Sequence, residues 1–145
     1  KWIDFNYHSE KDENTLDAIN SLKKDGYRII ATSPRQNSTS INDFDVEKGK
    51  FALIFGTERH GISNVVAENA DEFVHLPMFG FTESFNISVS AALSMQVLTL
   101  KIRKSNVKWQ LEANEYHQLK SQWIKQSLPR PDVLENQFYQ NKTII

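Results

Sequence analysis

Two polar, glycine-containing turns hold the residues whose types and spacing could do chemistry. Gly56-Thr-Glu-Arg-His-Gly61 follows the continuous apolar run Phe51–Phe55, and Pro77–Phe85 follows a second run, Asp71–Leu76. Glycines at both ends of a turn expose backbone donors and let a ligand approach closely. Three nucleotide-type chemistries compete for such turns. A triphosphate loop needs G-x-x-x-x-G-K-[ST]; Gly56, Gly61 and Ser63 have that spacing, but Ile62 stands where the lysine belongs. A G-x-G-x-x-G dinucleotide fingerprint is absent. A ligand with an adenine, a ribose and a compact sulfonium centre asks for backbone contacts and apolar walls more than for lysine. Leu76-Pro-Met-Phe-Gly80 and Phe85 can supply those walls.

Each residue also has a plainer reading. Met78, Phe79, Phe81 and Phe85 can be core, and Glu58 beside Arg59 can be a surface ion pair worth roughly 0–1 kcal/mol. Ser84 and Asn86 can be helix caps, worth about 1 kcal/mol each. His8, His60, His75 and His117 are scattered, with no cysteine and no i, i+4 pair, so a metal site is not expected. His60 is placed to act as a base, yet no Ser-His-Asp arrangement accompanies it. What favours a site is the joint spacing.

The elements that must position these turns follow from periodicity. Phe51–Phe55, between Lys-Gly-Lys and Gly56, reads as a strand buried on both faces of a parallel sheet, with a helix starting at Ser63. Ile62, Val65 and Val66 form the inward stripe of that helix, and Ser63 is its expected cap. Asp71–Leu76 is a second strand, and Asn86 opens a long helix. That helix is apolar nearly all round, so it must be covered on several sides: by the sheet, and by a second subunit. Upstream, Trp2–Tyr7 alternates as a strand, Thr15–Lys24 is a helix stopped by Gly26, and Tyr27–Thr32 is another strand. Strand, helix and strand with short connections make a parallel crossover unit. Arg35–Asp45 reads as a mobile polar loop. Within Asn106–Leu128 a helix carries Tyr116, Leu119, Trp123 and Ile124 as its stripe and is stopped at Pro129-Arg-Pro131; residues 132–145 read as a tail. The expectation is an α/β fold: an open parallel sheet with helices on both faces.

The chain has 145 residues, 39% hydrophobic and 24% charged, enough for one domain with a real core. It has no cysteine, which removes disulfide and thiolate chemistry and fits a reducing compartment. No apolar run reaches the roughly 18 residues of a membrane span. The net charge of −1 hides an asymmetry: residues 1–95 carry 9 basic and 14 acidic side chains, residues 96–130 carry 7 and 2. A basic segment beside an acidic one points to a polyanionic partner or to a solvated lysine-rich helix.

GTERHGIS and LPMFGFTESFNISVSAAL, at 56–63 and 76–93, resemble the second and third motifs of the SPOUT (SpoU/TrmH) RNA 2′-O-ribose methyltransferases. The order of segments is most similar to the tRNA guanosine-2′-O-methyltransferase branch. The resemblance implies an S-adenosylmethionine cofactor, a C-terminal trefoil knot, a homodimer, an RNA partner and a cytoplasmic location. It implies methyl transfer to a ribose 2′-hydroxyl of tRNA, at the D-loop guanosine (position 18). The alternatives are a ribosomal RNA substrate, or an inactive RNA- or nucleotide-binding module. It divides the chain into a methyltransferase domain over 1–105, with motifs two and three at 51–63 and 76–95, and a C-terminal helix and tail over 106–145. It assigns Thr32, Gly56, Leu76, Met78, Phe85 and Asn86 to the cofactor, and Glu58, Ser84 and Asn86 to organising the motif loops. The first motif, with the arginine that activates the hydroxyl, has no match here; neither Arg35 nor Arg59 corresponds to it. The expectation is therefore a chain lacking the N-terminal portion of the domain, able to hold cofactor and inactive alone. Phe79, Phe81, Thr82 and Glu83 make the third-motif loop more aromatic than is usual in the family.

Overall fold

The computed structural model describes residues 3–9, 14–34, 37–81 and 84–142. Its elements are α1 (Asn14–Lys24), β1 (Arg28–Thr32), β2 (Thr39–Ser40), β3 (Phe51–Ile54), α2 (Asn64–Asn69), β4 (Glu72–His75), α3 (Ile87–Lys104), α4 (Ala113–Ser127) and α5 (Pro131–Lys142). The chain forms two compact units: Tyr7–Trp109, and Gln110 onward together with the residues up to Asn6.

The larger unit is built on a four-stranded sheet in the order β2-β4-β1-β3. Every pairing is parallel: Ile29 faces Ala52 across to β3, Ala31 faces Phe73 across to β4, and Thr39 of β2 faces Val74. β1 is central, and its Ile29-Ile30-Ala31 is fully buried, as a strand covered on both faces requires. Alternation divides these residues between two cores. Ile29 and Ala31 pack with Ile19 of α1 and Val66 of α2; Ile30 packs with Ile41, Phe44, Val46, Val74 and Leu98 of α3. Helices therefore cover both faces.

Local chemistry sets the ends of these elements. Gly26, at φ 81°, closes α1: Tyr27 N–H donates to Leu22 O at 3.0 Å and Gly26 N–H to Lys23 O at 3.0 Å. Ser63 Oγ accepts from Val66 N–H and caps α2. Asp71 bridges the start of β4 to β1, accepting from Ile29 N–H at 2.7 Å and donating its own N–H to Ile29 O at 2.8 Å.

Several expectations are corrected. Trp2 lies outside the described residues, and Ile3–Tyr7 forms no strand; Ile3, Phe5 and Tyr7 are exposed. Alternation says which side chains would share a face; it does not supply a ladder partner. The crossover unit is therefore β3–α2–β4 rather than one starting at Trp2. β3 is parallel, as expected, but half-buried, because it is an edge of the four-stranded sheet. Val65 is exposed, leaving Ile62 and Val66 to face the core.

The expected mobile loop is structural. Arg35 and Gln36 are outside the described residues, but β2 and the buried Ile41, Phe44 and Val46 close one face of the sheet. Phe44 meets the Phe51 ring edge-on at 5.1 Å, and the Arg28 guanidinium lies 5.2 Å from the Phe44 ring. Arg28 also pairs with Glu72 and donates to Asp45 O at 3.0 Å. The surrounding Asn and Asp residues make the turns that let three apolar side chains fold inward: Asp43 N–H donates to Ser40 O, and Glu47 N–H to Asp45 Oδ1.

α3 buries only Ser94 and Leu98; Val89, Leu93, Met95 and Leu100 are exposed in this chain. In the smaller unit α4 buries no residue fully, and Tyr116, Trp123 and Ile124 are exposed. The expected tail is the helix α5: Pro129-Arg-Pro131 stops α4 and starts the next helix, with Pro131 at a first helical position that needs no N–H donor. Lys125 Nζ joins the two helices through Glu135, at 2.7 and 2.9 Å.

Candidate functional site

The carboxyl ends of β1, β3 and β4 open onto one cavity of about 270 Å³, close to the smaller small-molecule sites of roughly 300 Å³. Its position follows from strand order. The chain leaving β3 crosses β1 through α2 to reach β4, so the loops after β1, β3 and β4 surround a shared crevice.

Thr32 ends β1 at the cavity wall, its Oγ1 donating to Ile54 O at 3.1 Å. Gly56 begins the loop after β3. A Cβ on it would lie 2.1 Å from Gly61 C and 2.3 Å from Ile62 N, so only glycine lets this turn fold back on itself. Thr57 and Gly61 then exchange two backbone hydrogen bonds of 2.9 Å, with Gly61 at φ 66°. Glu58 projects from the turn as a cavity-lining residue, and its Oε1 accepts from Asn86 Nδ2 at 2.8 Å. Asn86 Oδ1 accepts from Ser88 N–H at 2.9 Å, so one side chain both caps α3 and ties the two motif loops together.

Leu76, Met78, Ser84 and Phe85 line the cavity from the loop after β4; Asn86 does not reach its wall but bonds to Glu58, which does. Met78 and Phe85 are walls and leave the hollow open. Phe79 and Phe81 are not core: they are 94% and 103% exposed, on either side of Gly80 at φ 112°. Thr82 and Glu83 are outside the described residues.

Sequence reasoning missed His75, Ile41, Ser90 and Ser94, all of which line the cavity. His75 Nδ1 is 2.8 Å from Ser38 Oγ, joining the end of β4 to the segment before β2. The serines carried a signal. Ile87, Ser90, Ser94 and Leu98 recur at helical spacing on the sheet-facing side of α3, and two serines on a core-facing stripe mark a polar need.

No lysine or arginine lines the cavity among the described residues, while Glu58 does. Those residues also contain no group of three or more His, Asp or Glu able to hold a metal, and no helix long and apolar enough to cross a membrane. The walls suit a neutral or cationic ligand with a flat apolar part and disfavour a phosphate chain.

Fold and site together define a parallel α/β protein with a cavity of small-molecule size where its central strands end. The comparisons then fix the family. Residues 4–96 match the SpoU rRNA Methylase family, and the chain belongs to it. It is 38% identical over 136 residues to a tRNA (guanosine(18)-2′-O)-methyltransferase of Borreliella burgdorferi, covering 94% of this chain and 60% of that protein. A protein of the same name from Thermus thermophilus is 27% identical over 127 residues, covering 86% of this chain and 63% of that protein. The chain thus spans about 60% of the length of these relatives. Among solved structures, the A. aeolicus TrmH/SpoU tRNA modifying enzyme superposes with a TM-score of 0.65 at 21% identity, covering 79% of this chain and 59% of that one. An AdoMet-bound rRNA methyltransferase from Sinorhizobium meliloti gives 0.56 at 20% identity, covering 61% and 33%. These two share the fold.

Proposed function

We propose that the chain holds S-adenosylmethionine for methyl transfer to a ribose 2′-hydroxyl of RNA, with the D-loop guanosine of tRNA as substrate. The single observation carrying this reading is the cavity outside β1, β3 and β4, apolar, free of lysine and arginine among the described residues, with a carboxylate in its wall. A sulfonium ligand is cationic and otherwise largely nucleoside, which these walls suit. When bound, it supplies an activated methyl group. The chain's own part is to orient it: Leu76, Met78 and Phe85 exclude water, the Gly56 turn offers close backbone approach, and Glu58, held by Asn86, sets the spacing of the two loops. Thr32 and Ser84 complete the polar wall.

The reading includes three finer points. A homodimer would cover the outward stripe Val89, Leu93 and Leu100 of α3, which lies opposite Leu98 at 3.6 residues per turn. A C-terminal trefoil knot fits the return of α3 to the β2–β3 connection, where Lys101 Nζ meets Asn42 O and Asn106 N–H donates to Glu47 Oε1 at 2.9 Å. The domain spans 1–105, the basic segment over 96–130 meets the RNA, and the protein works in the cytoplasm.

Calorimetry with S-adenosylhomocysteine and with ATP tests the cofactor: the former should bind and the latter should not. Tight ATP binding with no response to the homocysteine compound ends the reading. Methylation of tRNA against ribosomal RNA fragments decides the substrate; RNA affinity should fall with salt.

A further inference from the structure

The innermost polar group of the cavity belongs to α3. Ser94 lines the cavity and is 0% exposed, and its Oγ has no hydrogen-bond partner. A serine inside a helix ordinarily satisfies itself on the carbonyl four residues back, and this one does not. A buried hydroxyl left unpaired is unfavourable, so such a group calls for a partner that the free chain does not provide.

The surroundings say what that partner is. Ser94 shares a helix face with Ile87 and Ser90, and with Leu98, which belongs to the core beside Ile41 and Val74; the latter two also wall the cavity. On its α3 side the inner end is therefore apolar apart from the half-buried Ser90 and the fully buried, unpartnered Ser94, whereas Thr57, Glu58 and Ser84 are all exposed residues of the two loops. A purine suits the inner end, since its faces want apolar contact and its edge wants a hydrogen bond. A ribose and a charged amino-acid tail suit the loops. Building on the cofactor reading above, we infer that the Ser94 hydroxyl is a hydrogen-bonding contact for the purine edge of the bound nucleoside. Ser94 is thus a specificity-determining residue of the pocket.

The test uses the 145-residue chain, with S-adenosylhomocysteine and adenosine as probes. Ser94→Ala should weaken both about 3–10-fold, the loss of one net hydrogen bond. Its urea midpoint should hold or rise, because alanine is the better helix former and removes an unpaired group. Unchanged affinity for both probes overturns the inference and leaves the cofactor reading standing. Loss with S-adenosylhomocysteine but not with adenosine overturns the purine assignment. A wild-type chain that binds neither probe overturns both the inference and the reading it rests on. Should the variant fold poorly, a crystal structure of the wild-type chain with S-adenosylhomocysteine decides. The inference expects Ser94 Oγ within about 3.2 Å of a purine nitrogen, and finding only a water or no partner there overturns it.

Discussion

Replacing Gly56 with alanine is the most direct test of how the candidate pocket is built. The backbone there is not in the left-handed region, so the objection to a side chain is space alone. A Cβ would sit 2.1 Å from Gly61 C, 2.3 Å from Ile62 N and 2.4 Å from Gly61 O. All three are backbone atoms of the returning strand of the same turn, so no rotamer change relieves the overlap. The turn must open, which breaks the Thr57–Gly61 pair of 2.9 Å hydrogen bonds. At about 0.5–1.5 kcal/mol net for each bond, the expected loss is about 1–3 kcal/mol. With a urea slope of about 2 kcal/mol/M, the midpoint should fall by roughly 0.5–1.5 M. The same opening carries Glu58 away from Asn86, so binding of S-adenosylhomocysteine should weaken by more than stability alone explains. Equilibrium urea unfolding and calorimetry on the same preparation read the two effects. A midpoint within about 0.2 M of the wild type, with unchanged affinity, would refute the packing argument.

Phe44→Ala should cost about 3–5 kcal/mol, because Phe44 is fully buried among Phe51, Arg28 and the core; a loss under 1 kcal/mol in urea unfolding would return residues 41–46 to the status of a surface loop. Phe79→Ala and Phe81→Ala should change stability by no more than about 0.5 kcal/mol, since neither ring is buried in this chain. Asn86→Ala removes a cap and the tie to Glu58; a double-mutant cycle with Glu58→Ala should show coupling of about 0.5 kcal/mol or more, and strictly additive losses would separate the two loops. Hydrogen bonding and charge attraction from Glu135 raise the Lys125 pKa above its usual 10.5, so the link between α4 and α5 is fully present below the lysine range and is lost as pH rises through the raised value. Helicity followed by circular dichroism should fall across that alkaline window less steeply in Lys125→Gln than in the wild type.

What the sequence displays is what neighbouring residues decide. Gly26 as a helix stop, Ser63 and Asn86 as caps, and the runs that become β3 and β4 all depend on contacts within a few positions. Long-range pairings leave weaker traces. Ile41, Phe44 and Val46 are three apolar residues scattered among Asn and Asp, and only the arrival of Leu98 and Val74 from elsewhere in the chain makes them core. The same blindness worked in reverse at Ile3–Tyr7, where alternation promised a strand and none forms. Within the site, the family resemblance assigns Thr32, Gly56, Glu58, Leu76, Met78, Ser84, Phe85 and Asn86; all but Asn86 line one cavity, and Asn86 bonds to Glu58 beside it. Ser94 was hidden because a serine in a long apolar helix looks like a harmless interruption until its side of the helix is known.

The loops around the cavity carry hydrogen bonds of their own, and that bears on how it would bind a ligand. Its loops are held by their own bonds: Thr57 to Gly61 across the first turn, Asn86 to Glu58 between the turns, and Ser38 to His75 at the end of β4. A hollow held open in this way asks for little ordering when occupied, so more of the contact energy appears as affinity. It also means that the walls choose the ligand more than the ligand shapes the walls. With no lysine or arginine among the described lining residues, a triphosphate entering the cavity would have its charge uncompensated in a mostly apolar space. A sulfonium nucleoside would meet the Glu58 carboxylate instead. The glycine spacing that brings a triphosphate loop to mind thus serves a turn whose charged residue at the cavity wall is the Glu58 carboxylate.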